Sequence, residues 1–83
     1  MIKVKNQKWI EADDGKIFNI GDDIGFDYYD EKIGKPIHVI CEIMGITENI
    51  ILGRNVEINK SSHKKYGEFR INNISNAKYV YYD

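Results

Sequence analysis

The sequence predicts an all-β protein of roughly five or six short antiparallel strands, with one short helical turn before the last strand. Three observations predict it. The longest apolar stretch, Ile37–Gly53 (IHVICEIMGITENIILG), alternates between two faces and holds seven isoleucine or valine residues. Turn-forming groups such as Asp13-Asp14-Gly15-Lys16 and Gly21-Asp22-Asp23 punctuate the chain at short intervals. Every other apolar segment is short and must pack against the Ile37–Gly53 stretch to be buried.

Within that stretch Ile37, Val39, Cys41 and Ile43 share one parity, and His38, Ile40, Glu42 and Met44 the other. A strand covered fully on one side and partly on the other reads this way. Thr47-Glu48-Asn49 has turn composition before Ile50-Ile51-Leu52, so the expectation is a hairpin. Gly45 in the middle, the β-branched residues and Pro36 at the entry count against a helix.

The flanking segments follow in order. Lys3–Ala12 alternates weakly and should hold a strand. Asp-Gly suits a two-residue type I′ turn, which would pair Trp9-Ile10-Glu11 with Ile17-Phe18. Gly21-Asp22-Asp23 turns into a strand over Ile24–Tyr29 with Ile24, Phe26 and Tyr28 on one face, and Gly25 marks a bulge or bend. Asp30–Lys35 reads as a charged loop. Val56-Glu57-Ile58 is a short strand, Asn59–Gly67 (NKSSHKKYG) a polar, basic and mobile loop, and Glu68–Ile71 a strand. Asn72–Ala77 has turn and helical-turn character, and Lys78–Tyr82 closes the chain as a strand.

Composition bounds the function. Eighty-three residues make one domain, residues 1–83, and 42% hydrophobic content is too apolar for a disordered chain. The longest apolar run is too short to span a bilayer, and MIKVKNQKW lacks the apolar segment of a signal peptide. The expectation is a soluble, cytoplasmic protein with no membrane partner. Cys41 is the only cysteine, which excludes an internal disulfide and a thiolate zinc cluster, and its parity marks it as a buried, inert thiol.

Net charge is −1, but of thirteen acids eight lie between residues 11 and 31 (Glu11, Asp13, Asp14, Asp22, Asp23, Asp27, Asp30 and Glu31) against the single base Lys16. Bases gather at Lys3, Lys5 and Lys8 and along Arg54–Arg70, where Lys60, Lys64 and Lys65 surround His63. The reading is a polarised molecule with an acidic and a basic flank.

The strand start GDDIGF, the long hairpin and the ending EFRINNISNAKYVYYD resemble an SH3-like small barrel over about residues 17–82. The WIEADDGKIFNIGDDIGFDYYD opening and the YVYYD tail resemble short accessory proteins of phages and prophages of low-GC Gram-positive bacteria. The second resemblance implies a host protein as partner and carries no site residues.

Catalysis lacks support: Ser61-Ser62-His63 has no third group to orient a base, so no catalytic residue is assigned. Asp13-Asp14 and Asp22-Asp23 lack the alternate-position spacing of a calcium loop and read as turn residues, so no metal or cofactor is assigned. The seven glycines are dispersed, with no phosphate-binding G-x-x-x-x-G-K-[ST]. Six tyrosines are the strongest surface signal, because Tyr28-Tyr29 and Tyr81-Tyr82 put a ring on each face of their strands.

These residues predict a non-catalytic binding module that inhibits or redirects a host protein through Asp22, Asp23, Asp27, Tyr28 and Tyr29. The alternative is a nucleotide- or small-ligand-binding barrel using Lys65, Tyr66, Arg70, Tyr79 and Tyr81. Direct nucleic-acid binding, through Lys64, Lys65, Tyr66, Phe69 and Arg70 with Tyr79, Tyr81 and Tyr82 as further rings, is opposed by the net charge of −1 and the acidic flank.

Overall fold

The computed structural model describes residues 3–6, 9–12 and 14–80. The predicted central hairpin forms, with register shifts between Ile40 and Glu42 and between Ile43 and Gly45. β5 (Lys35–Ile46) and β6 (Ile50–Ile58) run antiparallel around the turn Thr47-Glu48-Asn49, with Ile46 opposite Ile51. The Thr47 hydroxyl accepts from the Ile50 N–H, which fixes the turn locally. Ile37, Val39, Cys41 and Ile43 all point into the core, whereas Met44 on the other face is exposed.

Around this hairpin stand two antiparallel sheets. The first contains β1 (Lys3–Asn6), β2 (Trp9–Glu11) and β3 (Ile17–Asn19). The second has the order β7-β6-β5-β4-β8, where β4 is Asp23–Asp30, β7 is Ser62–Arg70 and β8 is Ile74–Tyr79. A 3-10 turn, Ile71–Asn73, joins β7 to β8, which returns to lie beside β4. Among the described residues β7 and β8 are the two edges of this sheet and do not pair with each other. The ladder is therefore open, with three plus five strands in place of a closed barrel of five or six.

One core serves both sheets. Ile10 and Phe18 from the small sheet, with Ala12 of the loop between them, join Ile24, Phe26, Val39, Ile43, Ile51, Val56, Phe69 and Ile74 in a single buried cluster. Burying this apolar area is the main favourable term in folding, at about 25 cal/mol per Å² removed from water. Phe69 meets the edges of Phe26 and Tyr28 at centroid distances of 5.4 and 5.3 Å, a geometry aromatic quadrupoles favour.

Several expectations need correction. Lys3–Ala12 is two strands, not one, because alternation lapses at Asn6-Gln7-Lys8 and Val4 lies opposite Ile10. The β2–β3 register is as expected, with Ile10 opposite Phe18, but the connection is longer than a two-residue turn. The Ala12 N–H donates to the Lys16 carbonyl, and Gly15 alone among the described loop residues has a positive φ, at 87°. A three-residue loop needs left-handed backbone at one position, whereas type I′ needs it at two.

Gly25 does lie beside a bulge, but the extra residue sits on β8. The register steps by two on β4 and three on β8 between Gly25 and Asp27, and Asn76 takes φ 54° there. Gly25 itself answers to crowding, since a Cβ would meet Val80 at 3.1 Å.

The larger correction is Asn59–Gly67, which is not a mobile loop. Asn59 and Lys60, with φ 51° and 64°, form a tight turn that the Ser61 N–H closes on the Ile58 carbonyl. Ser62 onward is strand paired to β6, with His63 opposite Glu57 and Tyr66 opposite Arg54. Polarity misled here because an edge strand with an exposed outer side needs backbone pairing and no apolar face, and charged edge residues discourage further pairing. Val56–Ile58 likewise continues β6, and Ile74–Ala77 belongs to β8.

Candidate functional site

A groove of about 340 Å³ runs between the tip of the β4–β5 hairpin and the strand β7. Ile37, Val56, Ile58 and Phe69 give it an apolar lining. Tyr28 enters from β4 and Tyr66 from β7, with Asp30, Glu31 and Lys32 on one side and Lys64, Glu68 and Arg70 on the other. The acidic and basic stretches of the sequence thus meet across one groove. A Glu31–Arg70 ion pair at 3.7 Å bridges it, and both partners are exposed enough that solvent screens most of its energy.

Each wall is held by backbone geometry. The Arg70 N–H donates to the Tyr28 hydroxyl at 3.3 Å, which ties β4 to the end of β7 across 42 positions. The Asn73 side-chain amide donates to the Tyr29 carbonyl at 3.0 Å, so the 3-10 turn fixes the hairpin from the other side. Asp30 caps its own turn by accepting from the Lys32 N–H. Tyr28 is half-buried, while Tyr29 and Tyr66 are 48% and 52% exposed, enough to offer a ring to a partner.

The acidic candidates have separate environments. The Asp22 carboxylate accepts from the Asn19 N–H at 2.8 Å, the local turn role expected of aspartate. Asp27 lies opposite His38 on β5 and accepts from the Asn76 amide at 2.9 Å, with the His38 Nδ1 at 3.2 Å. The Asn76 hydrogen bond, then His38, hold its carboxyl below the usual carboxylate range. Asp23 begins β4 opposite Glu42, which bonds to Arg54 at 2.6 Å, and that pair raises the Arg54 pKa. Asp22, Asp23 and Asp27 therefore lie outside the groove lining.

The ligand-binding alternative is divided. Tyr66 and Arg70 line the groove, and the Lys65 ammonium lies 5.5 Å from the Tyr66 ring centroid. Tyr79 is at the far end of β8, opposite Ile24, where its ring packs on Phe18 at 4.6 Å and its hydroxyl donates to the Ile17 carbonyl. Tyr81 lies outside the described residues, as do Tyr82 and Asp13. Lys64, Tyr66, Phe69 and Arg70 of the basic and aromatic patch all line the groove, whereas sequence reasoning missed Lys32 and Ile58 as groove residues.

Cys41 is buried, and burial pushes its thiol up to about 12, with Asp23 adding to the effect. Among the described residues no three His, Cys, Asp or Glu side chains gather as metal ligands, and no helix is long and apolar enough to cross a membrane. Comparison of the chain with family models, curated proteins and solved structures finds no match.

Proposed function

We propose that this protein is a non-catalytic, cytoplasmic binding module with an SH3-like fold whose barrel is open between β7 and β8, and that it binds a host protein and inhibits or redirects it. The strand order β7-β6-β5-β4-β8, with a 3-10 turn before the returning strand, supports the SH3-like reading. The resemblance to phage and prophage accessory proteins supplies the class of partner.

One observation carries the binding reading: one groove combines apolar residues with tyrosines from both walls and charges of both signs. Tyrosine buries much area at low entropic cost, and a mixed rim suits the mixed surface of a protein. Asp30, Glu31 and Glu68 in the same lining would repel a phosphate backbone, which weighs against nucleic acid. Asp23, Asp27 and Tyr29 lie on the opposite face of β4 from Tyr28 and form a second contact surface beside the groove.

A pull-down from host lysate with wild type, Tyr66→Ala and Tyr29→Ala tests the reading. Loss of the captured protein with either variant, at unchanged melting temperature, supports the tyrosine-bearing surface. Equal capture by both variants rejects it. Replacing Asp22, Asp23 and Asp27 with asparagine should chiefly slow association, because charges at the rim of an interface act on the on-rate.

A second reading is favoured by size alone. A groove of about 340 Å³ falls within the range of small-ligand sites, and Lys64, Arg70 and Tyr66 all line it. In that case a nucleotide or similar small anion, released by heating the purified protein, is the expected finding.

A further inference from the structure

Asp14-Gly15 is the only place in the sequence where an aspartate or asparagine precedes a glycine. That pair permits a reaction of the chain with itself, because glycine has no side chain to hinder its own nitrogen. The Gly15 nitrogen attacks the Asp14 Cγ and closes a five-membered succinimide ring: a C–N bond forms, a C–O bond breaks, and the carboxyl hydroxyl leaves as water with the amide proton. Water then reopens the ring. Addition at the Asp14 main-chain carbonyl leaves the chain running through the side-chain carbon, as isoaspartate, and addition at the side-chain carbonyl restores aspartate. No other reactant is needed.

The loop between β2 and β3 holds the reacting groups in an unreactive arrangement. The Gly15 N–H donates to the Ala12 carbonyl at 3.0 Å, so the attacking nitrogen is already engaged. One oxygen of the Asp14 carboxylate accepts from the Lys16 N–H at 3.1 Å, and the other lies 3.2 Å from the Lys16 ammonium. The Lys16 N–H, then the ammonium, hold this carboxyl below the usual carboxylate range, and an ionised carboxylate has no hydroxyl to lose as water. Packing adds no barrier. Asp14, Gly15 and Lys16 are exposed, and a Cβ on Gly15 would meet nothing within 4 Å among the described residues.

We propose that Asp14 is a site of spontaneous isoaspartate formation, guarded in the folded protein by the Ala12 carbonyl and Lys16, so that the conversion marks chains whose β2–β3 loop has opened. The product disturbs the fold that carries it. Isoaspartate adds one backbone carbon between Ala12 and Lys16, whose N–H and carbonyl close the loop at 2.9 Å. Ile10 and Phe18, opposed just beyond the loop and fully buried, take their register from that closure. The inference does not rest on the host-protein reading.

The test is incubation of the full chain at neutral pH, folded and in guanidinium chloride, followed by peptide mapping, in which an isoaspartyl peptide keeps its mass and changes its retention. Asp14 should convert before any other aspartate in the unfolded chain. Because the reaction passes through the open loop, the folded protein should convert about tenfold more slowly or less than that. Lys16→Ala should speed the folded protein about two- to threefold and leave the unfolded rate unchanged, a small factor because the ion pair is exposed to solvent. The isomerised protein, separated from its parent, should melt at a lower temperature. Equal rates in the folded and unfolded chain, earlier conversion at another aspartate, or a folded Lys16→Ala variant that converts like wild type overturns the proposal.

Discussion

Tyr79 packs its ring on Phe18 at 4.6 Å and donates its hydroxyl to the carbonyl of Ile17, so one side chain of β8 holds β3 of the small sheet. The two sheets share a core, but this contact fixes their edges to each other. Removing only the hydroxyl, in Tyr79→Phe, should cost about 0.5–1.5 kcal/mol, the usual net value of one hydrogen bond. Tyr79→Ala should cost more by losing the ring contact. Urea melts of both variants check this: equal loss would assign the effect to the hydrogen bond alone, and no loss in Tyr79→Phe would assign it to packing alone.

Ile43 is fully buried midway along β5, and its N–H and C=O also bond to the Asp22 carbonyl and the Gly21 N–H. Ile43→Ala leaves those backbone bonds in place and opens a cavity. The expected loss is about 2–5 kcal/mol by denaturant unfolding.

Opposite Ile43 stands Gly53, whose side is filled by a neighbour. A Cβ there would begin 2.8 Å from the Cys41 sulfur. Gly53→Ala should destabilise by about 1–3 kcal/mol through overpacking, despite the better strand propensity of alanine. The pair Gly53→Ala with Cys41→Ala should recover part of that loss, which a double-mutant cycle would measure.

Burial raises the Cys41 thiol from an ordinary 9.0 to about 12. Above pH 9 the unfolded chain loses this proton while the folded protein keeps it. The folded state then binds more protons, and stability falls as pH rises through that window by up to about 1.4 kcal/mol per unit. The measurement is the stability of wild type minus that of Cys41→Ala, from pH 8 to 11, and the difference should shrink with pH. At neutral pH a thiol reagent should label Cys41 only after denaturation.

Lys60 sits at φ 64° in the turn between β6 and β7, a conformation that side chains with a Cβ resist. Lys60→Gly should therefore stabilise the protein by about 0.5–1 kcal/mol, net of the greater entropy of unfolded glycine. A raised melting temperature is the readout. No gain would mean that the lysine side chain offsets the strain of its backbone.

The sequence by itself determined the elements whose side chains carry their own instructions. The alternation of Ile37, Val39, Cys41 and Ile43 set the buried face of β5, because a strand turns successive residues to opposite sides and water rejects only one of them. The β2–β3 pairing, the turn at Thr47–Asn49, the start of β4 after Gly21 and the 3-10 turn before the last strand were legible for the same local reasons. The strand Ser62–Tyr66 was not, because its stability comes from hydrogen bonds to β6 and none of its side chains is buried. The same holds for the site. The sequence separated an acidic stretch from a basic one, but whether they lie apart or face each other depends on how β4 and β7 fold around Phe69. Only the tertiary structure brings Glu31 to Arg70 and Tyr28 into the same groove as Tyr66, since packing of the shared core sets distances between residues some 40 positions apart.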